Sequence, residues 1–213
     1  MTLKNVLIIG DSVSIGYTPF VAEALKEVAL VQHAPGGGDG GAEETAYGLQ
    51  CIEYFLALSD GTPLRADVIL FNWGLHDGPQ LFDEPPANVT IPGQEGNMSV
   101  YKGELAAITA RLQAHARTTG AQLLFALTSP MLSSSSADED VRELNRRAAD
   151  VMAAARVPTV DLHAAVVRKC GAAPQPECFG HQGCFSPHCS GKGYEWLANS
   201  TVAPAIRELL APP

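Results

Sequence analysis

Ser12 is the residue best placed for nucleophilic chemistry. It stands in Gly10-Asp11-Ser12, directly after the apolar run Val6-Leu7-Ile8-Ile9, and Gly16 follows four residues later. A strand that ends in such a turn and leads into a helix either cradles a phosphate or presents a side chain at a helix N-terminus. The phosphate-loop pattern needs more glycines and a Gly-Lys-Ser/Thr ending, and the dinucleotide pattern needs Gly-x-Gly-x-x-Gly; neither is present. A serine here can act simply as an N-cap. It can also act as a nucleophile, its own N–H and the helix field facing a developing oxyanion.

A second chemical cluster lies near the other end of the chain. His188 is bracketed by Cys184 and Cys189, just ahead of the apolar segment Gly193-Tyr194-Glu195-Trp196-Leu197, and Cys170 and Cys178 lie nearby. Cys178, His181, Cys184, His188 and Cys189 are all possible zinc ligands, but the segment has no Cys-x-x-Cys pair, so no metal is expected. Dense cysteines instead suggest disulfides, with Cys184–Cys189 or Cys178–Cys184 as local pairings that would staple the His188 loop. Three sequons, at Asn88, Asn97 and Asn199, lean the same way, towards a secreted or oxidising compartment. The opening MTLKNVLIIG reads as a first strand rather than a signal peptide.

The elements that must position these groups follow from the hydrophobic pattern. Strands are predicted at 5–9, 30–34, 66–74, 122–130 and 157–163, and helices at 17–29, 44–59, 100–120, 138–156 and 193–209, the last kinked at Pro204. Alternating βα units imply an α/β fold with a five-stranded parallel sheet between helical layers, a three-layer α/β/α sandwich. The irregular segment 77–98 has the length of a lid or binding loop. At 213 residues and 46% hydrophobic content, a single domain over 1–213 is expected. A net charge of -9 argues against a nucleic-acid partner, and no apolar run approaches the ~20 residues of a membrane span. Oligomeric state is left open by the sequence.

Ligands of parallel sheets bind at the carboxyl ends of the strands. Ser12, the glycine-rich 35–41, the Asn72-Trp73-Gly74-Leu75-His76-Asp77 turn and the cysteine-rich segment all map there. Taken in that order, Gly10-Asp11-Ser12, Gly36–Gly41, Gly74-Leu75-His76-Asp77 and His188 with Gly193-Tyr194 resemble the SGNH (GDSL) hydrolase family over nearly the whole chain. The resemblance implies a flavodoxin-like fold and a serine esterase needing no cofactor. Ser12 would be its nucleophile and His188 its general base. It further implies an oxyanion held by the Ser12 N–H, by a loop glycine, taken as Gly38, and by a side chain after the third strand. The substrate would be a small-molecule or carbohydrate ester, with acetyl esters on sugars within the family's range.

The sequence departs from the family's pattern in two places. His76 occupies the position of the family's oxyanion asparagine. A neutral imidazole can donate one hydrogen bond, and Asn72, two residues before Gly74, is the rival for that role. Phe185 stands where the family has an aspartate three residues before the histidine. In serine proteases the loss of that acid can cost ~10⁴ in rate. A backbone carbonyl could orient His188, or another acid (Glu177 or Asp161) could approach it. Otherwise activity would be reduced, and an impaired relative would bind a carbohydrate or protein partner through the same cleft. His33, His115 and His163 read as surface or hydrogen-bonded structural histidines.

Overall fold

The structure, a computed structural model, describes residues 2–35, 41–78, 98–131, 135–171 and 191–211. Five parallel strands, β1 (Lys4–Ile9), β2 (Ala29–Ala34), β3 (Val68–Phe71), β4 (Gln122–Leu127) and β5 (Thr159–Asp161), form one sheet in the order β2-β1-β3-β4-β5. Strand residues alternate between two cores, as the two-residue period of a pleated strand requires. Val6, Ile8, Val68, Leu70, Leu124 and Ala126 enter one cluster, and Leu7, Ile9, Ile69, Phe71 and Phe125 enter the other. Burial on both faces is why β1 and β3 read as unbroken apolar runs.

Helices α1 (Ser12–Leu25), α5 (Leu162–Cys170), α6 (Gly191–Leu197) and α7 (Ala203–Leu210) cover the first face. Helices α2 (Thr45–Phe55) and α3 (Met98–Thr119) cover the second, and α4 (Ser135–Ala155) contributes to both clusters. The chain therefore forms the three-layer sandwich expected from its βα alternation. Among the described residues, no helix is long and apolar enough to cross a membrane.

Strands β3, β4 and β5 are shorter than the sequence expectation, and two helices depart from it. Helix α1 starts at Ser12, not at residue 17, because the Asp11 carboxylate caps it, accepting the N–H groups of Val13 and Ser14. Pro19 lies inside this helix and removes one of its bonds rather than ending it. Helix α5 was not anticipated: Asp161 ends β5 and at once caps α5 by accepting the Ala164 N–H at 2.7 Å. The last helix is indeed interrupted near Pro204, by a π-helical turn over Ala198–Val202 in which the Ala203 N–H reaches back to the Ala198 carbonyl. The segment 79–97 lies outside the described residues.

Candidate active site

Strand order places β1 and β3 side by side, and the chain leaves β1 for β2 on one side and β3 for β4 on the other. Their carboxyl ends flank the point where the winding reverses, the preferred ligand position of open α/β sheets. Ser12 emerges there as the first residue of α1, half-buried, while Asp11 beneath it is 1% exposed. The loop after β2 returns onto this turn. Ala42 donates its N–H to the Gly10 carbonyl at 2.8 Å, and Gly41 pairs with Asp11 in an antiparallel bridge. Gly41 has φ +69°, and a Cβ there would stand 2.4 Å from the Gly10 oxygen, so only glycine lets the two segments touch.

Asn72, one residue past β3, reaches the same turn from below. Its Oδ1 packs over Gly10, where a Cβ would lie 2.0 Å away, and its Nδ2 donates to Thr128 Oγ1 at 3.4 Å. Asn72 is buried, and its Oδ1 makes no hydrogen bond among the described residues. The structure thus brings Asn72 to the Gly10-Asp11-Ser12 turn. Trp73, at the strand end, is core: its indole N–H donates to the Ala42 carbonyl at 3.0 Å.

His76 occupies a short 3₁₀ turn, Leu75–Asp77, beside the buried Glu44. Burial pushes the Glu44 carboxyl up, and the field of His76 acts in the opposite direction. Asp77 caps α2 from outside the helix. Its Oδ1 accepts the Thr45 N–H at 3.1 Å and stands 2.5 Å from the Thr45 hydroxyl, and Glu104 of α3 lies 2.7 Å from the same hydroxyl. One hydroxyl proton cannot serve two carboxylates, so all three groups are satisfied together when Asp77 is protonated and donates to Thr45 Oγ1, which then donates to Glu104. Desolvation pushes the Asp77 carboxyl up to about 7, which fits a proton residing on Asp77.

The candidates Gly38 and His188 lie outside the described residues, as do Phe185, Glu177 and the cysteines 178, 184 and 189. Asp161, the other acid considered as an orienter, has its carboxylate engaged as the α5 cap. No disulfide joins the two described cysteines, since Cys51 is a free thiol. His115 and His163 are structural, as expected: His115 Nε2 meets the Leu64 carbonyl at 2.9 Å, and His163 Nε2 meets Asp138 at 3.1 Å.

Ser14 has no signal of its own in the sequence, and His33 reads there only as a surface or hydrogen-bonded structural histidine. Ser14 Oγ donates to the Asp11 carbonyl at 2.7 Å and stands 2.6 Å from His33 Nε2 at the end of β2, while His33 Nδ1 is 3.1 Å from the Pro35 carbonyl. Spacing could have hinted at Ser14, two residues past Ser12. His33, nineteen residues on from Ser14, becomes a neighbour only through the β1–β2 pairing.

No family model matches the chain, and no curated protein does. Solved structures do. A lipase/acylhydrolase from Enterococcus faecalis aligns over 99% of both chains at 18% identity and a TM-score of 0.63. A GDSL-like lipase from Bacteroides thetaiotaomicron aligns over 96% of this chain and 88% of its own at 16% identity and 0.63. An acetylxylan esterase from Geobacillus stearothermophilus covers 99% and 95% at 13% identity and 0.68. Over its described residues, this chain has the fold of these lipase, acylhydrolase and esterase structures, the fold its sequence motifs led one to expect of an SGNH hydrolase.

Proposed function

We propose that residues 1–213 form one SGNH-type serine esterase domain that cleaves a small acyl group, such as acetyl, from a carbohydrate or other alcohol. The observation that carries this reading is the placement of Ser12. It opens α1 at the carboxyl end of β1, over a buried Asp11 that caps the helix, beside the returning glycine loop. Acylhydrolases and acetylxylan esterases among the structures of the same fold support the reaction class and the acetyl substrate.

In this mechanism Ser12 Oγ attacks the ester carbon as His188 takes its proton. The tetrahedral oxyanion is held by the Ser12 N–H, by a glycine N–H of the 36–41 loop (Gly38) and by Asn72 or His76. Collapse breaks the bond to the alcohol, which leaves with the proton from His188, and an acyl-Ser12 remains. Water then attacks the acyl carbon, giving its proton to His188. The second collapse returns that proton to Ser12 and frees the carboxylic acid. Removing one oxyanion donor costs ~3–4 kcal/mol of transition-state stabilisation.

The test is intact mass after incubation with a fluorophosphonate. One adduct is expected on the wild type and none on Ser12→Ala, followed by turnover of acetylated sugars. Folded wild-type protein that takes no adduct and cleaves no acetyl ester would overturn the reading.

A further inference from the structure

Behind the nucleophile turn, three polar contacts run in series. His33 Nδ1 faces the Pro35 carbonyl at 3.1 Å, His33 Nε2 faces Ser14 Oγ at 2.6 Å, and Ser14 Oγ faces the Asp11 carbonyl at 2.7 Å. The last carbonyl belongs to the Asp11–Ser12 peptide, whose N–H is the Ser12 amide. Counting protons fixes the direction of the chain. The Asp11 and Pro35 oxygens have none to give, so Ser14 uses its single proton on Asp11 and His33 uses Nδ1–H on Pro35. The contact between Ser14 and His33 then requires Nε2–H as well. All three are filled together only by an imidazolium.

We propose that His33 and Ser14 form a directed hydrogen-bond chain into the Asp11–Ser12 peptide, one that orients and polarises the Ser12 N–H as an oxyanion donor. His33 is then a positioning residue for the esterase reaction, and the inference rests on the reading of Ser12 as nucleophile. A hydrogen bond accepted at a peptide carbonyl strengthens the N–H of the same peptide, and serial bonds reinforce one another in a buried setting. The Asp11 oxygen also accepts the Ile15 N–H at 3.1 Å, so Ser14 supplies the second of its two lone-pair partners.

The chain is reversible. When His33 loses a proton while Nδ1–H stays on Pro35, Nε2 becomes an acceptor, and the Ser14 hydroxyl turns from Asp11 to His33. Among the described residues, the charged group acting on the ring is the Asp11 carboxylate. It and the Pro35 carbonyl favour the imidazolium, against the stronger effect of burial, which lowers the His33 pKa. The Ser12 amide is therefore more strongly polarised at low pH and less so as pH rises.

The experiment compares fluorophosphonate labelling rates of wild type, His33→Gln and Ser14→Ala between pH 5 and 9, each checked as folded by its amide spectrum. Glutamine places a non-titrating N–H near the position of Nε2. Dividing the wild-type rate by the His33→Gln rate at each pH cancels titrations common to both, including that of His188. The ratio is expected to fall as pH rises through the His33 titration and then level off. Ser14→Ala is expected to label about tenfold more slowly than wild type at low pH, less than the loss of a direct donor. In parallel, the Ser12 amide proton of ¹⁵N-labelled wild type should move upfield with pH and stay fixed in His33→Gln. A ratio independent of pH, or Ser14→Ala labelled at the wild-type rate, overturns the inference while leaving the esterase reading intact. A wild type that takes no label overturns the esterase reading instead. The Ser12 amide shift then judges the chain alone: tracking His33 upholds it, and constancy overturns it.

Discussion

At the scale of single residues, the candidate site depends on atoms that are absent. Gly10 carries Asn72 Oδ1 where its own Cβ would be, and Ser14 Oγ lies 2.8 Å from the same point. Gly10→Ala should therefore displace either the Asn72 side chain or the turn that carries Ser12. Overpacking of this kind costs about 1–3 kcal/mol. Denaturant midpoints should show that loss, and fluorophosphonate labelling should slow with it. Asn72→Ala added to Gly10→Ala should restore part of the stability without restoring the labelling rate, because Asn72 is one of the candidate oxyanion donors. The position of Ser12 at the end of β1 was legible in the sequence because a short motif follows directly on a strand. His33 was not, since its meaning comes from a partner on another element. Asn72 was legible only as a rival to His76; its packing over Gly10 depends on the β1–β3 register, which pairs Ile9 with Phe71.

At the scale of elements, capping decides where helices begin. Asp11 caps α1, Asp161 caps α5, and Asp77 caps α2 from a different segment. The first two are local, and the α1 start was missed because a motif serine draws attention away from the aspartate before it. The α5 helix was missed because β5 is only three residues long and passes into the helix with no turn residue between them. The cap of α2 had no local signal at all, as Glu44 at the N-cap position makes no side-chain cap bond. Asp161→Ala should cost about 1 kcal/mol in thermal or denaturant unfolding, the usual loss for a helix cap. The Ser12 labelling rate of the folded variant should equal that of wild type. Slower labelling would instead mark Asp161 as the acid that supports His188.

At the scale of the whole molecule, the proton held between α2, the turn after β3 and α3 couples stability to pH. In the folded protein Asp77 keeps its proton up to about 7, whereas an ordinary aspartate loses it near 3.8. Between those values the folded state binds more protons than the unfolded state, so this group's contribution to stability falls as pH rises. It is fully present below about 4 and lost as pH passes through about 7. One proton gives a limiting slope of about 1.4 kcal/mol per pH unit. Asp77→Asn should remove that slope, and subtracting its unfolding free energies from those of wild type across pH 4 to 8 isolates it from other carboxylates. A difference independent of pH would show that the shared proton resides elsewhere.

The π-helical turn between α6 and α7 sets an angular phase. Tyr194 of α6 lies against Gly16 of α1, so closely that a Cβ on Gly16 would stand 2.1 Å from its ring, and α7 is anchored on the same face of the sheet. A π turn is an α-helix with one residue inserted, and an α-helix advances 100° and 1.5 Å per residue. Deleting one residue between 198 and 202 would relax the turn to α-helix and rotate α6 by about 100° relative to α7. Tyr194 would swing off the helix that begins with Ser12. The spare residue in this helix works as an indexing notch between the two ends of the sequence.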